Sequence, residues 1–356
     1  MKLASKHARQ VVIGLIVVGT LMGSWTQRIK AQTDLSENFI LAAQYSSFHQ
    51  GDAVLVMQDE KVIFQDYQNG YNPNEPHLLA SGTKSFACAI AAAAVEDKLL
   101  TLDEKVTDTL TEWKGSKKFP YDDITVFELL SQTSGLPSDQ GILGQAKDRL
   151  KVLFLLPLTF PPGEQFQYAP ANFYAFAALM TRKVQAAKTG DEDVIAYLQR
   201  RVFDPIGVTG FDIRRDDLGL PNLAAGGLLT AEAWAKFGEL LLQRGAWEGK
   251  QVLDADLLKQ CEVGTSQNPY YGLSLWLQYD LRAWVPLESI AAALPAPGQE
   301  VEGVTLGETV PNYVIMAGEG KQRLYLIRDL NLVVVRFGRA DDSWSDVDFL
   351  GILTGK

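Results

Sequence analysis

The chain has 356 residues, of which 47% are hydrophobic and 21% charged, and its formal net charge is −10. This composition is that of a globular protein and excludes a disordered or fibrous chain. The length suffices for one large domain or for two that share an interface. Because an acidic surface repels phosphate backbones, nucleic acid is not expected as a partner.

The N-terminal residues have the layout of a secretion signal. Three basic residues within the first nine precede an apolar run from Val11 to Met22. At about 1.5 Å per residue this run spans about 18 Å, less than a hydrocarbon core of about 30 Å. The cleavage site is poor, so residues 1–31 are predicted to be either a cleaved signal peptide or an uncleaved membrane anchor. Both alternatives export the folded part to the periplasm or cell envelope.

The first elements after a polar linker are a helix, a hairpin and a second helix. Phe39 to Phe48 is predicted to be helical. The apolar runs Ala53–Met57 and Lys61–Phe64 are separated by a short polar turn, which is the pattern of a β-hairpin. An alanine-rich helix is predicted from about Gly82 to Lys98.

The middle of the chain is predicted to be helical. Helical stretches contain Leu130, Val152–Leu156 and Phe173–Met180, and proline and glycine turns separate them. Thr230 to Arg244 is amphipathic, with apolar residues at helical spacing.

The last third is predicted to form strands and a closing helix. The predicted strands are Tyr271–Leu277, Asn312–Met316, Arg323–Arg328 and Asn331–Phe337, and the helix is Ser343–Leu353. Val285 to Pro311 is irregular, and long loops of that kind are often functional. Strands at both ends of the chain predict an α+β fold, in which one antiparallel sheet is flanked by helices. An all-helical region is inserted between about Leu100 and Arg215, and the domain spans residues 36–356.

The chain has two cysteines, Cys88 and Cys261. Export would permit a disulfide. Cys88, however, lies in an apolar helical stretch, so small buried core residues are favoured over a bridge.

A serine and a lysine stand three residues apart at the start of the alanine-rich helix, in Ser81-Gly82-Thr83-Lys84. Residues at this spacing share one helix face, so the amine lies within hydrogen-bond reach of the hydroxyl. A serine hydroxyl becomes a good nucleophile only when a base takes its proton. The positive end of the helix also favours a nearby oxyanion. Taken alone, the pattern fits an N-cap serine followed by a surface lysine equally well.

Several segments, in their order and spacing, resemble the class C β-lactamase-like family, which also contains D-alanyl-D-alanine carboxypeptidases, esterases and amide hydrolases. They are Leu79–Phe86, Leu99–Val106, Ile124–Pro137, Phe160–Tyr168, Ala224–Leu228, Tyr271–Leu273 and Leu332–Arg336. The resemblance covers roughly Val54 to Phe337, and it implies a cleft between the sheet and the helical region with Ser81 at its floor.

The family's second site element is a tyrosine followed, two residues later, by an asparagine. Here Tyr168 is present, but Pro170 replaces the asparagine. The resemblance implies that Tyr168 takes the proton of Ser81 and hands it to the leaving group. A neighbouring Lys84 cation is expected to lower the pKa of this phenol. Asn172 could partly replace the missing amide, although a structural role at a helix start is favoured.

The third element is normally a lysine or histidine, a small residue and a glycine on a strand. Met316-Ala317-Gly318 occupies it here, so the glycine is kept and the cation is lost. By resemblance, residues 316–318 line the substrate site, and the backbone N–H groups of Ser81 and Glu319 bind the oxyanion.

The lost cation normally helps to bind a substrate carboxylate. Lys321, Arg323 or Arg336 could replace it, but solvated strand positions are expected for all three.

Other mechanisms are not favoured by the remaining residues. The histidines are His7, His49 and His77, and no two of them have the spacing of metal ligands. The sequence has no Gly-x-Ser-x-Gly elbow. Neither a metal nor an organic cofactor is expected.

The resemblance therefore implies a serine hydrolase that forms an acyl-enzyme on Ser81 and cleaves an ester, amide or β-lactam bond. The lost cation and asparagine rank a carboxylesterase or amide hydrolase above a β-lactamase or D,D-carboxypeptidase. The expected partner is a small-molecule or peptide-like acyl substrate, with membrane attachment through the N-terminal segment as a further option. The alternative is a catalytically weakened penicillin-binding-like protein that binds cell-wall fragments.

Overall fold

A computed structural model describes residues 35–138, 140–278 and 313–355. The predicted signal or anchor and the irregular stretch from Val285 to Pro311 lie outside these residues. The described chain forms two compact units, one with residues 35–45 and 345–355 and the other within residues 46–344. The extent predicted for a single domain, 36–356, stays a prediction. Among the described residues, no helix is both long and apolar enough to cross a membrane.

The strands of the described residues are β1 (Gly51–Gln58), β2 (Lys61–Tyr67), β3 (His77–Leu78), β4 (Asp212–Ile213), β5 (Gly227–Leu229), β6 (Ala246–Trp247), β7 (Lys250–Gln251), β8 (Trp276–Gln278), β9 (Tyr313–Gly318), β10 (Gln322–Ile327) and β11 (Leu332–Gly338). The helices are α1 (residues 35–48), α2 (Phe86–Glu96), α3 (Val126–Ser131), α4 (Gln140–Gln145), α5 (Arg149–Leu153), α6 (Pro170–Ala186), α7 (Val194–Leu198), α8 (Ala231–Leu242), α9 (Ala255–Gln260) and α10 (Asp346–Thr354).

The smaller unit contains most of α1 together with α10. The Ser345 hydroxyl caps α10 by accepting the N–H of Asp348 at 3.1 Å, which satisfies one of the amides that a helix start leaves unpaired. The Tyr45 hydroxyl accepts the N–H of Ser345 at 3.1 Å. The helices predicted near both ends of the domain are therefore present.

The larger unit is built on a six-stranded sheet in the order β2-β1-β11-β10-β9-β8, in which every pair is antiparallel. β1 and β11 are adjacent, with Leu55 opposite Val335. Both strands are buried on both faces, apart from the last residue of β1. The predicted sheet made from both ends of the chain is thus confirmed.

Helix α8 packs against this sheet through a close backbone approach. A Cβ at Gly238 would lie 2.8 Å from Val333 Cγ1, so only glycine allows α8 to come this near to β11. Helices α3 to α7 form the predicted helical insertion between the sheet strands.

The strand predicted over Tyr271–Leu277 is shorter than expected. Only its end belongs to β8, because Ser274 adopts a left-handed conformation with φ of 65°. The chain turns there, and the Gly272 N–H donates to the Leu275 carbonyl at 2.9 Å. The residues 271–277 are apolar because they are buried, partly in this tight turn and partly in β8.

The prediction that the two cysteines are separate core residues is wrong. Cys88 and Cys261 form a disulfide, with Cα atoms 6.0 Å apart, a spacing that suits a bridge. The bridge joins α2 to the residue that ends α9. Because 173 residues separate the two positions, the sequence pattern contains no signal that these helices are neighbours.

Candidate active site

The turn Ala80–Ser85, which carries Ser81, is wound more tightly than the predicted α-helix. The Thr83 hydroxyl donates to the Ala80 carbonyl at 2.7 Å, and the Ser85 hydroxyl donates to the Gly82 carbonyl at 2.7 Å. These side chains compete for the backbone carbonyls, and α2 begins only at Phe86. Ala80 has a φ of 47°, and strained conformations of this kind cluster at functional sites.

Lys84 is buried directly beside Ser81. Its side chain is 2% exposed, and Nζ donates to Ser81 Oγ at 3.0 Å and to the Ala224 carbonyl at 2.6 Å. The Gly227 N–H fixes the loop of Ala224 by donating to Thr83 Oγ1 at 2.9 Å. Burial penalises the ammonium form and lowers the pKa of Lys84 to about 7. A substantial neutral fraction therefore exists at neutral pH.

Tyr168 meets this pair from the helical region. Lys84 Nζ lies 4.8 Å from the centroid of the Tyr168 ring. Burial of the hydroxyl raises the pKa of Tyr168 to about 12, while hydrogen bonding by the side chains of Ser81 and Trp276 offsets part of the rise. The expected lowering by a Lys84 cation is wrong, because burial dominates the pKa of Tyr168 and the groups that oppose it are Ser81 and Trp276. The structure thus brings together Ser81, Lys84 and Tyr168, as predicted.

Aromatic side chains form one wall of the pocket. The Tyr168 and Trp276 ring centroids are 5.5 Å apart, and those of Tyr271 and Trp276 are 4.8 Å apart. The pocket is lined by Ser81, Gly82, Lys84, Ser85, Tyr168, Tyr271, Ser274, Trp276, Met316 and Ala317. Lys84 is the one charged residue in this lining, as far as the described residues go.

Strand β9, which pairs with β8, also lines the pocket. A Cβ at Gly318 would lie 2.1 Å from the Leu79 carbonyl oxygen, so a glycine is required where β9 approaches the turn of Ser81. Of the predicted residues 316–318, Met316 and Ala317 line the pocket and Gly318 does not; their contact with a substrate stays a prediction. The side chain of Glu319 is exposed, and its N–H follows at the end of β9. The oxyanion-binding role of the Ser81 and Glu319 amides stays a prediction.

The two arginines considered as replacements for the lost cation are structural. Arg323 is 4% exposed, and its Nη1 donates to the Gly318 carbonyl at 3.1 Å. Arg336 is fully buried, and its Nη1 donates to the Lys321 carbonyl at 3.0 Å. The expectation of solvated positions is wrong for both, because each guanidinium binds backbone carbonyls in and beyond β9. A guanidinium suits this role since it has five donors in fixed directions.

Asn172 lies at the start of α6 and not among the residues that line the pocket. It is 1% exposed; its Oδ1 accepts from the Ser134 hydroxyl at 2.5 Å, and its Nδ2 donates to the Ala169 carbonyl at 3.3 Å. Pro170 is the first residue of α6, a position where its missing N–H is not needed. These contacts support the structural alternative for Asn172 over substrate binding.

The sequence reasoning missed Trp276, Tyr271 and Gln132 as site residues. Trp276 and Tyr271 were assigned only to a strand and to a family segment. Gln132 lies within the family-like segment before Pro137, and it bonds on both sides of Tyr168. The density of aromatic residues near Tyr271 was the one available signal.

A metal site was also sought among the ionisable residues that the structure describes. No three His, Cys, Asp or Glu side chains are grouped to hold a metal ion within residues 35–138, 140–278 and 313–355. His77 lies in β3, where its ring stacks on Phe337 with centroids 4.5 Å apart.

Comparison with known proteins places this site in a wider group. Residues 41–285 match the family model described as Beta-lactamase. Lovastatin esterase from Penicillium rubens is 30% identical over 205 residues, which cover 48% of this chain and 50% of that protein. The 6-aminohexanoate-dimer hydrolase from Paenarthrobacter ureafaciens is 23% identical over 236 residues, which cover 61% of this chain and 58% of that protein. The chain thus spans little more than half the length of these relatives.

The fold is also that of known structures. A D-stereospecific amidohydrolase from Streptomyces sp. superposes with a TM-score of 0.65 at 14% identity, covering 91% of this chain and 99% of that one.

Proposed function

The chain belongs to the beta-lactamase family of hydrolases, and we propose that it forms an acyl-enzyme on Ser81 and cleaves an ester or an amide. The convergence of Ser81, Lys84 and Tyr168 in one pocket carries this proposal. An ester is favoured as the substrate. The lovastatin esterase and the 6-aminohexanoate-dimer hydrolase are consistent with ester and amide hydrolysis respectively.

Lys84 is the base in the first step that we propose. Its amine is 3.0 Å from Ser81 Oγ, and its pKa of about 7 allows it to accept the hydroxyl proton as Oγ attacks the carbonyl carbon. The developing oxyanion would be bound by the backbone N–H groups of Ser81 and Glu319. The carbonyl π bond opens as the new C–O bond forms, which gives a tetrahedral intermediate.

Tyr168 is the acid in the second step. With a pKa of about 12 it keeps its proton at neutral pH, so it donates to the leaving group as the bond to the carbonyl carbon breaks. The Lys84 ammonium returns a proton to the phenol, and the net transfer is from Ser81 to the leaving group. Water then attacks the acyl-enzyme with the same pair of groups, releases the acid and restores Ser81.

The pocket lining favours an uncharged acyl group. Met316 stands where the family has a cation that helps to bind a substrate carboxylate, and the arginines of neighbouring strands bind carbonyls instead. The wall formed by Tyr168, Tyr271 and Trp276 offers apolar ring surface. We propose that Met316 and Ala317 also contact the acyl group.

A substrate panel on the protein lacking residues 1–31 tests this function. Short p-nitrophenyl esters are expected to turn over faster than a chromogenic cephalosporin, and a fluorophosphonate probe is expected to label the wild type but not Ser81→Ala. Faster turnover of the cephalosporin would replace the esterase proposal by a β-lactamase. Absence of both labelling and turnover would favour a protein that only binds cell-wall fragments.

We further propose that the folded part is exported. The disulfide between Cys88 and Cys261 supports this, since such bridges persist in oxidising compartments. When the full chain is expressed with its own N-terminal segment, the protein should be recovered in the envelope or periplasmic fraction. A non-reducing digest of that fraction should contain the peptides of Cys88 and Cys261 joined by the disulfide. Recovery of the protein in the cytoplasm with both thiols reduced would refute export.

A further inference from the structure

Gln132 connects the end of α3 to the segment that carries Tyr168. It is fully buried and ends α3 in a left-handed conformation, with φ of 61°. We infer that Gln132 is the residue that positions Tyr168 for proton transfer. This inference rests on the proposed function, because it assigns a role within the same acyl transfer.

Two hydrogen bonds place Gln132 on both sides of Tyr168. The N–H of Gln167 donates to the Gln132 carbonyl at 2.9 Å. The N–H of Ala169 donates to Gln132 Oε1 at 2.6 Å. Since Ala169 is the N-cap residue of α6, its N–H has no acceptor within the helix. One side chain therefore fixes the backbone immediately before α6, and with it the direction of the phenol.

The other end of the same amide faces a second ring of the pocket. The Gln132 side chain offsets part of the rise in the pKa of Tyr271 that burial causes. Gln132 Nε2 and the Tyr271 hydroxyl are both buried without a hydrogen-bond partner in the described part of the chain. The rings of Tyr271 and Tyr168 meet edge to face, with centroids 6.2 Å apart. Gln132 thus aligns Tyr168 through the backbone on both of its sides.

Gln132 is a positioning residue because it acts on Ser81 only through Tyr168. Its loss should leave Ser81 and Lys84 in contact, since their turn is held by its own hydrogen bonds. The phenol, however, would lose its alignment with the leaving group. A misplacement of about 1 Å in a catalytic group costs up to about 10²-fold in rate.

The test compares Gln132→Met with Gln132→Glu. Methionine keeps the volume and removes the acceptor for Ala169, whereas glutamate keeps that acceptor. Two substrates are used, a p-nitrophenyl ester and an alkyl ester of the same acid. An alkoxide leaving group needs a proton much more than p-nitrophenolate does, so loss of Tyr168 alignment should affect the alkyl ester more.

For Gln132→Met we expect kcat/KM on the alkyl ester to fall about 10- to 100-fold, with a smaller fall on the p-nitrophenyl ester, because kcat/KM reports acylation and so the departure of the leaving group. Gln132→Glu should recover most of the loss. The matched control is Gln68→Met, which removes another buried amide, one that bonds Asp66 and does not line the pocket. Its kcat/KM on both esters should equal that of the wild type.

An equal loss of kcat/KM on both esters, or an unchanged kcat/KM on the alkyl ester, in a folded Gln132→Met variant would overturn the positioning role. Inactivity of the wild type towards both esters would instead remove the proposed function, and this inference with it. If Gln132→Met does not fold, Gln132→Asn replaces it. Asparagine tolerates the left-handed backbone but is one methylene too short to reach Ala169, so the same leaving-group dependence is expected.

Discussion

The turn that carries Ser81 and the segment that carries Tyr168 are held in opposite ways. Within the turn, Lys84 bonds Ser81 and Thr83 bonds Ala80, each across three residues. Tyr168 is held by Gln132, which is more than thirty residues away, and by Trp276, which is more than a hundred residues away. The nucleophile and its base are therefore joined within one turn, although Lys84 also bonds the distant Ala224 carbonyl, whereas the contacts of the proton donor are all with distant parts of the chain.

The same burial also has opposite consequences in the two regions. It lowers the pKa of Lys84 to about 7 and raises that of Tyr168 to about 12, because desolvation penalises whichever form is charged. One environment thus makes the amine a base and the phenol an acid. This division of roles is what the predictions below address.

Replacement of Tyr168 has the largest effect that this comparison predicts. Tyr168→Phe keeps the ring and removes the acid, so kcat/KM on an alkyl ester should fall about 10²- to 10³-fold relative to the wild type. The fall on a p-nitrophenyl ester should be smaller, because that leaving group departs without a proton. Tyr174→Phe is the control, since Tyr174 is buried in α6, the helix that follows Tyr168, but does not line the pocket. A loss independent of the leaving group would show that Tyr168 is not the acid.

The pH dependence separates the two candidate bases. If neutral Lys84 is the base, kcat/KM should rise about tenfold per pH unit below about 7 and then level off, because the amine form is required. Steady-state measurements between pH 5 and pH 10 are sufficient. If the Tyr168 phenolate were the base, the rate would continue to rise towards pH 10, since the pKa of Tyr168 is about 12.

The residual activity of Lys84→Met checks this assignment. The kcat/KM of Lys84→Met should lack the rise with pH below about 7, whereas that of Lys183→Met should keep it. Lys183 is paired with Glu104 at 2.7 Å and does not line the pocket. Persistence of this rise in Lys84→Met would assign the titration to another group.

The contrast between the two regions also explains what the sequence could predict. Ser81 and Lys84 follow from their spacing of three residues together with the family resemblance, and a single antiparallel sheet made from both ends of the domain follows from the strand patterns there. The partners of Tyr168 do not follow, because neither Gln132 nor Trp276 is near it in the chain. The direction of the Tyr168 pKa was missed since the depth of a side chain is a property of the packed protein.

The sequence also could not predict the disulfide or the packing of the third site element, Met316-Ala317-Gly318, because both depend on tertiary contacts. Cys88 has the pattern of a buried helix residue, and nothing in that pattern places Cys261 beside it. Gly318 is required because β9 approaches Leu79 closely. The sequence does not show this approach, which depends on the fold. The expectation of a solvated Arg323 was wrong because its guanidinium binds the carbonyls of Gly318 and Gln322. Strand periodicity does not show such contacts.

The smallest predicted effect concerns the stability of the folded protein. The burial that makes Lys84 a base should also destabilise the fold. Its pKa falls from an ordinary 10.5 to about 7, which corresponds to about 5 kcal/mol against the charged form. Lys84→Met removes this penalty but also leaves the Ala224 carbonyl without its donor. We therefore expect a net increase in the free energy of unfolding of about 1–2 kcal/mol at pH 6.

The stability advantage of Lys84→Met should change with pH, and the direction of the change follows from the pKa of Lys84 in the folded and unfolded chains. Between pH 7 and pH 10.5 the unfolded wild type binds a proton at Lys84 that the folded protein does not, so wild-type stability rises with pH across this window. The advantage of Lys84→Met, measured by urea denaturation, should be full below pH 7 and shrink towards pH 10. An advantage that is constant over this range would mean that the folded and unfolded chains hold the lysine proton equally, and the amine could then not be the base at neutral pH.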